Sequence, residues 1–173
     1  MAVNLSSQSL RNEQLREDVV SAVSRHRIAP SLLELEITEG SMLYDIDKGI
    51  SLMRSIKALG VQFAIDDFGT GYSSLTYLKR LPLDRLKIDR SFVRDLPKDS
   101  NDVVLVDTML AIAKQMHLEV VAEGVEDDPQ WQFLRERGCH LGQGYLWSKP
   151  LEAADFRHWI SEKLGTPDKQ KTG

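Results

Sequence analysis

The stretch Val61-Gln62-Phe63-Ala64-Ile65-Asp66-Asp67-Phe68-Gly69-Thr70-Gly71 decides the fold of this chain. Its first half is a short apolar run with Val, Phe and Ile, which is typical of a buried strand. Two adjacent carboxylates follow, and then two glycines that allow the backbone to turn. Neighbouring side chains of a strand point to opposite faces, so Asp66 and Asp67 converge only if the backbone bends there. The pair is either a divalent cation site or a solvated strand end, and this stretch alone favours neither.

Length and composition indicate one globular domain. The chain has 173 residues, of which 42% are hydrophobic and 28% charged, enough for one ordinary core. The net charge of −4 argues against a DNA-binding protein, which would normally be basic. No apolar run is long enough to span a membrane, so we expect no membrane contact from this segment. The single cysteine, Cys139, excludes an internal disulfide and fits the reducing cytoplasm.

Strands and helices are expected to alternate along the whole chain. The apolar periodicity predicts strands at 2–6, 32–38, 61–66, 85–89, 119–122 and 140–145. It predicts helices at 12–27, 45–59, 74–81, 101–117, 128–137 and 153–164. We expect residues 1–164 to form the domain and the polar tail 165–173 to be disordered.

This alternation predicts an α/β fold with parallel strands, either an open sheet or a barrel. In the segment Leu33-Glu34-Leu35-Glu36-Ile37-Thr38, apolar and polar side chains alternate. Lys87 and Asp89 alternate with Leu86 and Ile88 in the same way. An inner strand of an open parallel sheet should be apolar on both faces, whereas a barrel strand turns one face toward the barrel axis. The pattern therefore favours a TIM-type barrel with about six β/α units.

Polar residues at the predicted strand ends indicate a metal-dependent reaction. They are Asn4, Glu36, Asp66, Asp67, Lys87, Asp89, Glu123 and Gln143. In a barrel these residues meet at one rim, where the active sites of this architecture lie. Amide and carboxylate oxygens suit Mg²⁺ or Mn²⁺, and the lack of His and Cys among them argues against zinc. Two such ions about 3.5–4 Å apart would clamp the attacking and leaving oxygens of a phosphate ester.

These residues lie in six motifs whose order and spacing resemble one known family. The motifs are Val3-Asn4-Leu5-Ser6, Glu36-Ile37-Thr38-Glu39, 66–75 beginning Asp66-Asp67-Phe68-Gly69, Lys87-Ile88-Asp89-Arg90-Ser91-Phe92, Glu123-Gly124-Val125-Glu126, and 143–150 beginning Gln143-Gly144-Tyr145. They resemble the EAL-domain phosphodiesterases, which hydrolyse cyclic di-GMP to the linear dinucleotide pGpG. The resemblance covers nearly the whole chain apart from its tail.

The resemblance implies two metal sites that share one carboxylate. The first ion would be held by Asn4, Glu36 and Asp66. The second would be held by Asp66, Asp67 and Glu123. The ions implied are Mg²⁺ or Mn²⁺.

The resemblance also implies roles for the other rim residues. Lys87 would contact the nucleophilic water or the scissile phosphate, and Gln143 would orient water or substrate beside it. Asp89 would contact the substrate. Glu39 would steady the loop 67–74, which in this family lies near a dimer contact. The catalytic set implied is therefore Asp67, Lys87, Glu123 and Gln143.

The chain departs from the family at its start. The Glu-Ala-Leu segment that names the family is absent, and Glu152-Ala153-Ala154 lies after the final strand instead. The chain is expected to begin at the family's second strand, with the first strand and sensor or GGDEF domains upstream. The absent glutamate is a metal ligand in the family, so the first site would be incomplete and hydrolysis by this chain alone weak or absent. We expect the open barrel edge to favour a homodimer or strand exchange.

Two other functions compete with hydrolysis. A non-catalytic module that binds cyclic di-GMP or regulates a partner is favoured by the absent glutamate, whereas the intact set of metal ligands favours the enzyme. An open-sheet nucleotide binder is disfavoured because no Gly-x-Gly-x-x-Gly follows the first strand. Gly69-Thr70-Gly71 is also too short for a phosphate-binding Walker loop.

Overall fold

The computed structural model describes residues 1–42, 46–71 and 75–164. Six parallel strands form one sheet in sequence order, from β1 at one edge to β6 at the other. The strands are β1 (Ala2–Leu5), β2 (Glu34–Thr38), β3 (Gln62–Phe68), β4 (Arg85–Ile88), β5 (Glu119–Glu123) and β6 (Leu141–Gln143). The helices are α1 (Leu15–His26), α2 (Ile46–Lys57), α3 (Leu75–Leu78), α4 (Arg90–Val93), α5 (Ser100–Gln115), α6 (Asp128–Glu136) and α7 (Ala153–Leu164). The predicted alternation of strands and helices is confirmed.

The sheet has one apolar face and one polar face. Ile37, Phe63 and Leu86 lie on the apolar face and are at most 1% exposed. They belong to a core that also contains Met53 of α2 and Val106 of α5. Because this core includes buried side chains of both strands and helices, burial of apolar area holds the outer layer on the sheet. The polar face carries the candidate site.

The sheet curves around its polar face. Strands β2 and β5 are three places apart, which is about 14 Å in a flat sheet with strands about 4.8 Å apart. Nevertheless, carboxylate oxygens of Glu36 on β2 and Glu123 on β5 both lie 2.7 Å from the same Lys87 nitrogen. The fold is part of a TIM-type barrel, as the alternating strands predicted, and its polar side chains converge on the barrel axis.

Strand β3 bends at the two adjacent aspartates. Its pairing with β4 shifts register between Ile65 and Phe68, and Asp67 has a φ of 53°, in the left-handed region. Asp67 also donates its backbone N–H to Asp66 Oδ1 at 3.0 Å. This irregularity is the backbone bend that the convergence of two neighbouring carboxylates requires.

Several predicted boundaries are wrong. The predicted helix 12–27 begins only at Leu15, and the strand predicted at 140–145 is confined to Leu141–Gln143. The predicted strand 61–66 continues to Phe68 because the bulge lets the chain keep pairing beyond the aspartates. Helix α4, directly after β4, was not predicted, because four residues are too few for a periodic pattern. The predicted helix starts near 45 and 74, and the predicted disordered tail 165–173, lie outside the described residues.

The two edges of the sheet are open in the part of the chain that the structure describes. The described pairings join each strand to its sequence neighbour, and β1 is not paired with β6. An eight-stranded barrel would need two further strands between them, one more than the resemblance led us to expect. Val3 on β1 and Leu141 on β6 are 40% and 42% exposed at these edges. No described helix is long and apolar enough to cross a membrane.

Candidate active site

The register of the sheet places the predicted residues on one face near the carboxyl ends of the strands. Asn4 on β1 pairs with Glu36 on β2, and Glu123 on β5 pairs with Gln143 on β6. Paired residues of neighbouring strands share a face, so these side chains lie at both flanks of the site. Asp66 of β3 lies between the two flanks, at the start of the register shift that follows Ile65.

Lys87 lies at the centre of the site. Its Nζ is 2.7 Å from Glu36 Oε1, 2.9 Å from Asp66 Oδ1 and 2.7 Å from Glu123 Oε1. Lys87 itself is only 5% exposed. Burial opposes its charge, but the bonds with Glu123, Glu36 and Asp66 outweigh burial and raise the pKa of Lys87 above its usual value. Its side chain therefore stays an ammonium ion at any physiological pH and serves as a fixed positive charge.

Asp66, Asp67 and Glu123 form a cluster that can hold a metal ion. One carboxylate oxygen from each lies within 4.8 Å of the others. Burial, followed by the neighbouring carboxylates of Asp66 and Asp89, raises the pKa of Asp67. Burial also raises the pKa of Glu123, although Lys87 opposes the shift. A divalent cation would relieve this crowding of negative charge, and the all-oxygen donor set fits a hard cation.

The predicted first metal site is less complete in its geometry. Asn4 is exposed on the edge strand β1, next to Glu36 in the register. Glu36 and Asp66 both point at the Lys87 ammonium, which brings their carboxylates to the same centre. The register thus brings the three predicted ligands to neighbouring places, while the assignment of an ion to them stays a prediction.

Glu39 contacts the glycine turn after the two aspartates. Its Oε1 accepts a hydrogen bond from the N–H of Gly69 at 2.9 Å. A Cβ on Gly71 would lie 2.6 Å from Glu39 Oε2, so the turn packs closely on this carboxylate. These contacts suit the predicted steadying role, whose remaining residues 72–74 lie outside the described part of the chain.

Asp89 and Gln143 occupy different surroundings from the central cluster. Asp89 is the N-cap of α4, where its carboxylate accepts a hydrogen bond from the N–H of Ser91 at 2.9 Å. Burial opposes ionisation, but the bonds from Ser91 outweigh it and lower the pKa of Asp89. Gln143 is exposed at the open edge, and its backbone carbonyl accepts from the N–H of Val125 at 3.1 Å. Substrate contact by either side chain stays a prediction.

Sequence reasoning missed two supporting features. Arg85 bridges Glu34 and Glu119 one layer below Lys87, at 2.7 and 2.9 Å. The sequence did hold a signal for this bridge. Arg85 precedes Lys87 by two residues, as Glu34 precedes Glu36, and side chains two residues apart on a strand lie on the same face. The second feature is the buried Gln130, whose place three residues after Asp127 is the spacing of a capping box.

The EAL domain family matches residues 1–150. This chain belongs to the EAL-domain family. The resemblance inferred from the six motifs is therefore confirmed, and the convergent rim residues lie in the matched region.

Two curated relatives are named for a function. The chain is 47% identical over 160 residues to the cyclic di-GMP phosphodiesterase NbdA of Pseudomonas aeruginosa, which is 92% of this chain and 20% of NbdA. It is 44% identical over 153 residues to the bifunctional diguanylate cyclase/cyclic di-GMP phosphodiesterase MucR of the same organism, 88% of this chain and 22% of MucR. The EAL-family chain thus spans about a fifth of the length of these relatives.

Two solved structures share the fold. The first is the PaMucR phosphodiesterase in complex with c-di-GMP, with a TM-score of 0.84 and 44% identity over 90% of this chain and 63% of that one. The second is the manganese/cy-diGMP complex of Klebsiella pneumoniae BlrP1, with a TM-score of 0.78 and 31% identity over 86% of this chain and 38% of that one. These likenesses confirm the TIM-type fold class.

Proposed function

We propose that this chain is part of a phosphodiesterase that hydrolyses cyclic di-GMP to pGpG with Mg²⁺ or Mn²⁺. The observation that carries the proposal is the convergence of Asp66, Asp67 and Glu123 within 4.8 Å, beside the buried Lys87 ammonium. The relatives support the substrate, because NbdA and MucR are named for this reaction and PaMucR is solved with c-di-GMP. One water would attack the phosphorus and form a new P–O bond as one ring P–O bond breaks, so the single linear product would carry a terminal phosphate at one end and a free hydroxyl at the other.

The metal would be held by two overlapping sets of oxygen ligands. Asp66, Asp67 and Glu123 would hold one ion, and Asn4, Glu36 and Asp66 the other. When bound, such ions polarise the phosphate and lower the pKa of water. BlrP1 supports the choice of metal, since it is solved with manganese and cyclic di-GMP.

Lys87 would stabilise negative charge that develops on the scissile phosphate. A preorganised positive charge in a water-poor site stabilises a charged transition state more than it would in water. The raised pKa means that Lys87 keeps its proton, so proton acceptance from water falls to a carboxylate such as Glu123 or Asp67. Gln143 at the rim would orient the water or substrate, and Asp89 would contact the substrate from the start of α4.

A non-catalytic cyclic di-GMP-binding module is the second candidate. It is favoured by the geometry of the first ligand set, because Asn4 is exposed on β1 while Glu36 and Asp66 both bond the Lys87 ammonium. Cyclic di-GMP is the common ligand of both functions.

The exposed edges β1 and β6 favour a homodimer or strand exchange, and the length of MucR favours sensor or GGDEF domains in the whole protein. A buried free cysteine suits a cytoplasmic location.

The two candidates are distinguished by product release. The 173-residue chain should be incubated with cyclic di-GMP and Mn²⁺, and pGpG quantified by chromatography. The enzyme proposal expects slow, metal-dependent pGpG release that Asp66→Ala abolishes, since this carboxylate belongs to both ligand sets. Binding of cyclic di-GMP that needs no Mn²⁺, is unchanged in Asp66→Ala and gives no pGpG would instead support the non-catalytic module.

A further inference from the structure

The side-chain amide of Gln130 joins the loop after β5 to the short helix after β4. Its Oε1 accepts hydrogen bonds from the N–H groups of Glu126 at 2.7 Å and Asp127 at 3.2 Å. Its Nε2 donates to the backbone carbonyl of Arg94 at 3.0 Å. Gln130 is only 4% exposed. A buried amide with these partners holds two backbone segments at a fixed separation.

Both segments lead directly to the candidate site. Arg94 follows the last residue of α4, and α4 begins three residues after Lys87. Glu126 comes three residues after Glu123, the ligand that contacts the Lys87 ammonium. Because so few residues separate the tether from these two side chains, a change in the loop changes their relative position.

Helix α4 also packs on two glycines, one directly after the predicted ligand Glu123 and one two residues after the predicted ligand Asp67. Gly124, with a φ of 68°, follows Glu123, and a Cβ there would clash with Arg90. Gly69, with a φ of 96°, lies near the ring of Phe92, which a Cβ would approach to 3.2 Å. Helix α4 therefore lies between the loops of β3 and β5, and the Gln130 amide ties it to the second of these.

We propose that Gln130 is a positioning residue that fixes Glu123 relative to Lys87 through this tether. Capping of α6 is shared between two side chains, because Asp127 accepts the N–H of Gln130 at 2.9 Å and Gln130 Oε1 accepts the N–H of Asp127 at 3.2 Å. The tether is the separate role, since it depends on the bond that Gln130 Nε2 donates to the Arg94 carbonyl. The expected change in Mn²⁺ affinity rests on the proposed function. The coupling of the two backbone segments stands on the hydrogen bonds alone.

Four variants of the 173-residue chain separate the tether from capping. Gln130→Glu keeps an acceptor oxygen for the N–H groups of Glu126 and Asp127 but loses the donor to the Arg94 carbonyl. Gln130→Ala loses all three bonds. Asp127→Ala removes the carboxylate half of the capping box and leaves all three side-chain bonds of Gln130 available. Gln132→Glu is the matched control for added charge, since Gln132 lies exposed on the same helix and bonds only Glu136 among the described residues. Each variant is measured for metal-free amide exchange and for Mn²⁺ affinity.

In Gln130→Glu we expect faster exchange in 90–94 and 124–127 together, and Mn²⁺ affinity about 10-fold weaker, the usual effect of losing a residue that orients a ligand. Gln130→Ala should show at least as large an effect. Asp127→Ala and Gln132→Glu should bind Mn²⁺ like the unaltered chain. Unchanged exchange in 90–94 in both Gln130 variants would overturn the tether, as would an equal loss of affinity in Asp127→Ala. If the unaltered chain binds no Mn²⁺, the proposed function fails, while the exchange result still decides the tether.

Discussion

Arg85 and Lys87 lie two residues apart on β4, face the same way, and each joins carboxylates from β2 and β5. Arg85 bonds Glu34 and Glu119, and Lys87 bonds Glu36 and Glu123 together with Asp66 of β3. The polar face of the barrel thus consists of two layers, each built around one cation. Among the described residues, the carboxylate cluster that could hold a metal ion lies in the upper layer, so we assign the proposed chemistry to the upper layer and support of the strands to the lower one.

Arg85→Met should destabilise the fold without removing the predicted metal ligands. Glu34 is 12% exposed in its side chain, and loss of its cation leaves a buried charge unpaired, which typically costs about 3 kcal/mol. The free energy of unfolding in urea measures the effect. The double variant Arg85→Met/Glu34→Met should recover most of the loss, because the unpaired charge is then gone. Arg94→Met, whose partner Asp95 is exposed, should leave the free energy of unfolding nearly unchanged.

Lys87→Met should slow hydrolysis of cyclic di-GMP about 100-fold or more at saturating Mn²⁺, because removing one preorganised charge has effects of this size. Mn²⁺ affinity should be unchanged or higher, since the ammonium competes with the metal for Glu123 and Asp66. Turnover and Mn²⁺ titration are measured side by side, with the exposed Lys98→Met as control. A variant that binds Mn²⁺ poorly but turns over normally when saturated would contradict the assigned role.

The alternation of strands and helices made the fold predictable from the sequence. Lys87 and Glu36 could be placed on one face because side chains alternate strictly along a strand. This alternation predicted a barrel, since an inner strand of an open parallel sheet should be apolar on both faces and a glutamate there would be unfavourable. The acidic rim was predicted from the position of Asp66 and Asp67 at a strand end, and the structure brings these two carboxylates together with that of Glu123.

The remaining features depend on contacts between distant segments. The bonds of Lys87 with three carboxylates require the curvature of the sheet, which no local pattern specifies. Asp89 is an aspartate like two of the predicted ligands, yet its carboxylate caps α4. The sequence did not show this role, because α4 is too short to give a periodic pattern. Gln130 looks like an ordinary cap in the sequence, because its bond to the Arg94 carbonyl spans 36 residues.

Gly142→Ala should destabilise the domain near the open edge. A Cβ at this position would clash with Trp147 and lie 2.9 Å from Trp131, and these two rings form an edge-to-face pair with centroids 5.3 Å apart. Overpacking of this kind costs about 1–3 kcal/mol, measurable as a lower melting temperature. Gly40→Ala is the matched control, because no atom of the described residues lies within 4 Å of its added Cβ. Equal melting temperatures for the two variants would show that the tryptophan pair yields without cost.

Cys139 should give the fold an alkaline sensitivity of its own. Burial raises the pKa of its thiol to about 11 from 9.0, so the folded chain holds this proton more tightly than the unfolded chain. The contribution of the protonated thiol to the free energy of unfolding is therefore fully present below pH 9 and is lost as the pH rises toward 11. Two pH units correspond to at most about 3 kcal/mol. The difference in free energy of unfolding between the unaltered chain and Cys139→Ala should shrink across this range, since the two share every other titrating group. A difference that stays constant from pH 8 to pH 11 would show that the thiol ionises equally well in both states.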